Sequence, residues 1–212
     1  MRRRSHVNPR AVILGGAVVR VLAFVRATYL RWGATAEETN LFLPGDDLLR
    51  RSDVTSTRAI TIDAAAPDVW PWIAQLGQGR GGFYSYDVLE NLVGCDIHSA
   101  DRIVPEWQHV EVGDEVKLHP QVALTVAAVE APRAVVWRGG VPIGQKPAPY
   151  DCTWAFVLID GPGGTTRLVV RERYQYARWW AALIVEPTQV VSFLMSQRML
   201  RGIKERAERA VP

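Results

Sequence analysis

Apolar positions recur at two different periods along the chain, and the change from one to the other outlines a fold. Residues 55–63, TSTRAITID, alternate side chains in the way a β-strand does and are rich in β-branched residues. A helical spacing follows over residues 65–76, where four apolar side chains share one face. After a glycine-rich turn, residues 85–93 predict a second short helix with Ser85 as its N-cap.

Beyond these helices a period of two dominates until the last part of the chain. Strands are predicted, between Gly and Pro turn signals, at residues 115–118, 122–130, 134–138, 152–159 and 166–176. The helical period returns over residues 178–209, where Pro187 is expected to break or kink the helix near its start. This order predicts an α+β fold in which a curved antiparallel sheet wraps around a long C-terminal helix.

The terminal helix is expected to bury one side in the concave face of the sheet. That side is predicted to contain Val190, Phe193, Leu194 and Leu200. Several buried side chains of this size stabilise a domain by more than its usual free energy of unfolding, so the helix should be essential to folding.

The N-terminal residues 11–30 are apolar enough to suggest a membrane span, but Arg20 and Arg26 interrupt them. Each arginine near the centre of a membrane helix costs roughly 2.5 to 3.5 kcal/mol, and the unbroken apolar run is too short to span. Three alternatives stay open: a helix packed on the protein or on a partner, an interfacial membrane helix, and a span or signal. We expect contact with the domain or with an anionic bilayer through Val12, Val18, Leu22 and Val25.

The stretch before the first strand contains PGDDLLRRSD, in which Pro, Gly and charges occur without periodicity. It predicts a linker or an extended arm. The chain is therefore divided into a basic and apolar helical segment at residues 1–35, the arm at 36–54 and the globular domain at 55–212.

The charge distribution and the cysteine content narrow the possible binding partners and the cellular compartment of the protein. The net charge is +3, but residues 1–31 contain seven arginines and no acid, which leaves 18 basic against 22 acidic residues in the rest of the chain. A mildly acidic domain argues against nucleic-acid binding, whereas the basic segment suits contact with a membrane surface. Cys95 and Cys152 are too few for a disulfide scaffold, so we expect a cytoplasmic protein, with membrane association left open.

The sequences RAITIDAAAPDVWPWI, DCTWAFVLID, TTRLVVRERY and FLMSQRMLRGIKERAER occur in this order. With them, residues 55–209 resemble the START-related superfamily called SRPBCC. The resemblance implies a helix-grip fold with an internal cavity. The superfamily includes lipid-transfer domains, hormone receptors, polyketide aromatases and cyclases, and oxygenase domains, so it does not imply one reaction. Neither a two-histidine-one-carboxylate set nor Rieske Cys–His pairs are recognisable, so no metal or other cofactor is predicted.

Two local sequence motifs resemble known binding motifs but lack part of the pattern that those motifs require. Residues 77–82, GQGRGG, match the dinucleotide pattern but follow a helix instead of a strand, so residues 77–86 are predicted to form a gate at the cavity mouth. A second cluster contains Cys95, Asp96, His98 and Asp101. It lacks the paired spacing of zinc sites, and its two aspartates are expected to be loop caps or salt-bridge partners.

The last strand places a carboxylate among apolar and aromatic neighbours. One of its faces carries Leu168, Val170, Glu172, Tyr174 and Tyr176. If this face lines the cavity, Glu172 is either a general acid–base or the partner of a buried cation, such as Arg80 or Arg102. By the same alternation, Trp154 and Phe156 of one strand face the interior, as does Trp137 of another.

Together with these patterns, the resemblance implies a protein that binds a small hydrophobic ligand, lipid-like or polyketide-like, in an internal cavity. The predicted ligand contacts are Trp137, Trp154, Phe156, Glu172, Tyr174, Arg80 and Tyr84. An alternative is an aromatase- or cyclase-like enzyme in which Glu172, Tyr174 and Tyr86 move protons. A third is a membrane-apposed lipid carrier or regulatory module that residues 1–31 anchor. The oligomeric state is left open.

Overall fold

The computed structural model describes residues 9–142 and 147–209, with side chains from residue 20 onward. These residues contain six strands, namely β1 Val54–Ile62, β2 Glu115–His119, β3 Val122–Glu130, β4 Ala134–Gly139, β5 Tyr150–Asp160 and β6 Thr166–Tyr176. The α-helices are α1 Pro9–Leu30, α2 Ala36–Asn40, α3 Ala66–Ala74, α4 Asp87–Leu92 and α5 Ala182–Arg209.

The strands form one antiparallel sheet in the order β1-β6-β5-β4-β3-β2. Strands β2 to β6 follow one another as a meander, and β1 joins beside β6, where Val54 lies opposite Tyr174. The predicted helix-grip fold is thereby confirmed: a six-stranded curved sheet with a long C-terminal helix. The closure of β1 onto β6 matters for the site, because it brings together two strands that are far apart in the sequence.

The concave face of the sheet holds the main core together with α3 and α5. Helix α3 has Pro67 in its first turn, where a missing N–H does no harm, and it buries Val69, Trp72 and Ile73. Its inward side chains meet those of β1, β4, β5 and β6 in one continuous apolar cluster.

Helix α5 continues through Pro187, so the predicted break does not occur there. The proline lies in the second turn, where its missing N–H removes one hydrogen bond of the helix. The face of α5 also differs. Val190 and Leu194 are exposed and Phe193 is half-buried, whereas Leu200 is buried as predicted. The buried face contains Val185, Gln189, Ser196, Met199, Leu200, Gly202, Ile203 and Ala207.

The convex face of the sheet is covered by the stretch predicted as a linker or arm. Leu43 packs there in a second apolar cluster against β1, β4, β5 and β6. Arg171 of β6 is buried and donates hydrogen bonds to the carbonyl oxygens of Leu41 and Glu38, each at 2.7 Å, and to Asp46 Oδ2 at 2.5 Å. Guanidinium groups on the outer face of β6 therefore hold this stretch against the sheet.

The C-terminal end of α1 docks on the domain. Leu30 is buried against Val54 and Val185, and Arg26 pairs with Glu186 of α5 at 2.7 Å. The hydrogen bond to Glu186 raises the pKa of Arg26. The first element and the last helix are thus in contact.

Of the four side chains through which α1 was expected to contact the domain or an anionic bilayer, two are described and neither is buried. Leu22 and Val25 are exposed, and the side chains of Val12 and Val18 lie outside the described residues. No helix in residues 9–142 and 147–209 has the length and apolar character needed to cross a membrane.

The outer edge of β1 is occupied by groups from other elements. The Ala59 N–H donates to the carbonyl of Trp32 at 3.1 Å, and the Thr61 carbonyl accepts from Lys204 Nζ at 2.7 Å. Gly33, with φ of +71°, permits this approach, because a Cβ at this position would collide with the Ala59 carbonyl oxygen.

Candidate functional site

A buried ion pair joins β1 to β6 on the concave side of the sheet. Nη1 of Arg58 lies 2.6 Å from Oε1 of Glu172, and their side chains are only 1% and 5% exposed. The predicted partners of Glu172, Arg80 and Arg102, are therefore wrong. The reason is topological: the pairing of β1 with β6 delivers Arg58, and the pattern of a single strand does not show which strand lies beside it.

Three hydroxyl groups complete this pair. Ser192 Oγ lies 2.7 and 2.9 Å from the two oxygens of Glu172 and donates its one hydrogen to this carboxylate, and Ser196 Oγ donates to Oε1 at 3.3 Å. Tyr174 donates its hydroxyl to Oε2 at 3.0 Å. We call these five side chains, including Arg58, the Glu172 cluster. Burial, and then the charge of Glu172, raise the pKa of Tyr174 well above its usual value, so its hydroxyl remains a donor.

A first cavity of about 200 Å³ lies between α4, α5 and the sheet. Its apolar walls are formed by Phe83, Leu118, Trp154, Met195 and Met199. Ser192 and Ser196 of the Glu172 cluster reach it from α5, and Glu90 reaches it from α4. Phe83 and Ser85 belong to the stretch predicted as a gate, and both line this cavity.

A second cavity of about 110 Å³ lies on the other side of Trp154. Its lining includes Leu118, Leu124, Tyr150, Cys152, Trp154, Glu172 and Tyr174. Burial, and then the charge of Glu172, raise the pKa of Cys152 to about 12, so this thiol stays protonated. Trp154 and Leu118 line both cavities.

Trp154 lies in a group of aromatic rings. Its ring centroid is 5.3 Å from that of Trp137 in an edge-on contact, 5.3 Å from that of Phe156, and 6.2 Å from that of Phe83 in a stacked contact. Its Nε1 atom is buried and finds no hydrogen-bond partner among the described residues. A buried N–H without a partner is uncommon in native proteins and invites an acceptor from outside the chain.

Glu90 is another polar group with unused hydrogen-bonding capacity. Burial, and then the charge of Asp87, raise the pKa of Glu90 to about 7. Its Oε2 is buried and has no hydrogen-bond partner within the described ranges. Burial and the charge of Glu90 raise the pKa of the neighbouring Cys95, which lines the same cavity.

The structure brings some of the predicted ligand contacts together. Trp154, Glu172 and Tyr174 all line the second cavity. Trp137 and Phe156 lie behind Trp154 in the apolar core and line neither of the two cavities. Both rings contact the Trp154 ring from the same face of the sheet, but neither reaches the two cavities.

The predicted contacts near the glycine-rich loop also lie elsewhere. Arg80 donates to the carbonyl of Trp107, and burial lowers its pKa. Tyr84 is buried, and its hydroxyl accepts a bond from Gln75 Nε2 at 2.8 Å. Tyr86 is 44% exposed and is the N-cap residue of α4, whereas Ser85 bonds to the Met195 carbonyl instead of capping that helix.

The aspartates of the loop after α4 make local contacts. Asp96 Oδ1 lies 3.3 Å from His98 Nε2, and Asp101 Oδ1 lies 3.3 Å from Arg206 Nη2. The contact of Asp101 with Arg206 is the salt-bridge role expected of these aspartates. Among the described residues, no group of three or more His, Cys, Asp or Glu side chains could hold a metal ion.

Several site residues escaped the reasoning from sequence, above all Ser192 and Ser196. They had a signal: with Gln189 they recur at helical spacing on α5, which marks a polar stripe between the apolar positions of one face. The apolar periodicity of this helix indicates Val190 and Leu194 as inward-facing instead, and both are exposed.

Comparison with known proteins gives a likeness in fold at low identity. No protein-family model matches the chain, and no curated protein matches it. A protein from Mesorhizobium loti is 13% identical, with a TM-score of 0.44 over 75% of this chain and 100% of its own. A hypothetical protein from Helicobacter pylori is 9% identical, with a TM-score of 0.49 over 79% of this chain and 95% of its own.

A third solved structure is the di-domain ARO/CYC protein BexL from the BE-7585A biosynthetic pathway. It is 10% identical, with a TM-score of 0.43 over 73% of this chain and 46% of its own. Likeness at this level carries no information about the ligand of the present chain.

Proposed function

We propose that the protein binds a small hydrophobic molecule that carries a polar group, with the first cavity as its entrance. One observation carries this proposal: an apolar cavity whose polar lining converges from two helices, with Ser192 and Ser196 on α5 and Glu90 on α4. Apolar walls with few, fixed polar groups are typical of ligand sites.

The arrangement of Glu172 favours binding over catalysis by this carboxylate. Its two oxygens already accept hydrogen bonds from Arg58, Tyr174 and the two serines of the Glu172 cluster. A carboxylate with its lone pairs occupied in this way is a poor general base, because taking up a proton would break several charge-assisted bonds. We therefore assign it to holding the site together.

A second candidate is proton transfer on a polyketide-like substrate, as in an aromatase or cyclase. It is favoured by Glu90, whose raised pKa of about 7 and unpartnered Oε2 suit a group that exchanges protons near neutral pH. In this alternative Glu90 replaces the predicted trio of Glu172, Tyr174 and Tyr86, since Tyr86 lines neither cavity.

A membrane-apposed carrier is the third candidate. Helix α1 exposes four apolar side chains, Val21, Leu22, Phe24 and Val25. The seven arginines of residues 1–31 would complement an anionic bilayer. The ligand would then be exchanged with the membrane instead of with water.

The binding proposal is tested by filling the first cavity. Met195 lines it, whereas the neighbouring Leu194 is exposed and does not line it. We expect Met195→Trp to weaken binding of the fluorescent probe anilinonaphthalene sulfonate by about tenfold or more, with Leu194→Trp as the matched control. Equal binding by both variants would contradict the proposal. Native mass spectrometry of protein purified from its own host would identify the ligand that it carries.

A further inference from the structure

The two cavities share a wall that contains Trp154 and Leu118, from β5 and β2. They also share the Glu172 cluster: Ser192 and Ser196 face the first cavity, whereas Glu172 and Tyr174 face the second. The two spaces therefore adjoin each other on the concave face and share side chains in their walls.

The sizes of the cavities show that neither suffices for a typical ligand. Ligand pockets usually measure roughly 300 to 1,000 Å³, and the cavities here measure about 200 and about 110 Å³. Only when joined do they reach the lower end of that range. A ligand that fills the first cavity alone would be no larger than a few fused or linked small rings.

The Trp154 ring is held by packing against other aromatic rings, and its N–H makes no hydrogen bond to the described residues. Its Nε1 has no partner among the described residues, so no polar contact would be lost if the indole turned. Its stacking partner Phe83 follows Gly82, which has a φ of +68°, in the loop beside the cavity mouth. A displacement of the indole would change its contacts with Phe83, Trp137 and Phe156, of which Phe83 alone lies in a loop. An acceptor on the ligand would satisfy the free N–H.

We infer that Trp154 is a movable partition, and that the bound ligand spans both cavities after displacing its indole ring. This inference rests on the proposed binding function and extends it to a ligand class. The ligand is a neutral, extended molecule with an apolar body in the first cavity. A hydroxyl or carbonyl group at its inner end meets Tyr174 and the Trp154 N–H. An anionic inner end is disfavoured, because Glu172 lines that cavity.

The experiment compares two probes of different size, naphthol with two fused rings and hydroxypyrene with four, by fluorescence titration of the full chain. Trp154→Ala and Leu118→Ala each remove one side of the wall, and Leu183→Ala removes an exposed leucine of α5 as the matched control. We expect both wall variants to raise the affinity for hydroxypyrene relative to naphthol by about tenfold, and the control to match the parent chain.

The possible results separate the two levels of the proposal. If the wall variants bind naphthol as the parent chain does and leave the preference between probes unchanged, the partition is overturned while the binding function stands. If the parent chain and every folded variant bind neither probe, the proposed function and the partition fall together. If Trp154→Ala does not fold, Leu118→Ala decides the matter by itself, because it opens the wall with the indole in place.

Discussion

Nη1 of Arg58 lies 2.6 Å from Oε1 of Glu172, although 114 residues separate the two in the chain. The contact joins the first strand of the sheet to the last one, and Ser192 and Ser196 connect it to α5. A charge pair at the junction of three elements is stabilising only while both partners and their hydrogen bonds are present.

Removal of the negative charge should therefore destabilise the fold. We expect Glu172→Gln to lower the free energy of unfolding by about 3 to 5 kcal/mol, because Arg58 would remain buried without a counter-charge. Urea unfolding followed by circular dichroism measures this change. Replacing both partners, as Arg58→Met with Glu172→Leu, should recover most of the loss, and an unchanged midpoint for Glu172→Gln would contradict the structural role.

The two serines of the Glu172 cluster should differ in their contributions. Ser192→Ala removes a short hydrogen bond whose single hydrogen lies between the two oxygens of Glu172, at 2.7 and 2.9 Å from Oγ, whereas Ser196→Ala removes a longer one at 3.3 Å. We expect losses of about 1.5 to 3 kcal/mol for Ser192→Ala and smaller ones for Ser196→Ala, since bonds to charged groups contribute more than neutral ones. Denaturant unfolding of both variants tests the order, and the reverse order would contradict it.

Gly202 should resist the substitution that usually strengthens a helix. In most helices Gly→Ala adds up to about 1 kcal/mol of stability. Here the new methyl group would collide with the Tyr84 carbonyl oxygen and lie 2.7 Å from its Cβ. We expect Gly202→Ala to destabilise the fold by about 1 to 3 kcal/mol, which thermal unfolding would measure. A raised melting temperature would contradict this expectation and would show that the backbone around Tyr84 moves to accommodate the methyl group.

Glu90 should make stability depend on pH. Its pKa rises on folding from the ordinary 4.5 to about 7, so between these values the folded chain binds more protons than the unfolded one. The stabilising contribution is complete below about pH 4.5 and is lost as the pH rises through about 7.

Glu90→Gln tests this dependence. Its melting temperature should equal that of the parent chain at about pH 4 and exceed it at about pH 8, because glutamine stays neutral. Glu106→Gln, an exposed acid, is the control. A difference between Glu90→Gln and the parent that stays constant across this range would contradict the assignment.

Helix α1 should bind anionic vesicles from its exposed apolar side. We expect Phe24→Glu to weaken flotation of the full chain with phosphatidylserine vesicles by about tenfold, and added salt to weaken binding of the parent chain. Val112→Glu, at an exposed apolar position away from α1, is the control. Salt-independent binding, or equal binding by Phe24→Glu, would exclude the surface contact, and resistance to carbonate extraction would show insertion.

Much of the fold can be predicted from the spacing of apolar residues along the sequence. Alternation predicted the strands to within a few residues, and it placed Glu172 correctly on the inward face of β6. Alternation is local information, because each side chain points to one face whatever the neighbouring strand is. The partner of Glu172 is not local: Arg58 faces it only because β1 closes the sheet beside β6.

The orientation of α5 could not be predicted from apolar residues, for a physical reason. At the Glu172 cluster its inward face carries serines, since the buried pair needs hydroxyl donors more than it needs apolar contact. Val190 and Leu194 consequently face outward. Likewise, Glu90 was overlooked because it belongs to a short helix whose remaining turn looks like an ordinary exposed surface.

The Trp32 carbonyl and Lys204, which bond to the outer edge of β1, have a consequence for the behaviour of the protein in a crowded solution. The free edge of a sheet is a template on which another chain can add a strand and begin an aggregate. At Ala59 and Thr61 that template is already occupied, by a segment that Gly33 allows to approach closely. Substitutions at Gly33 would push this segment away and leave the edge of β1 available to a second copy of the chain. Their first effect should therefore be a loss of solubility.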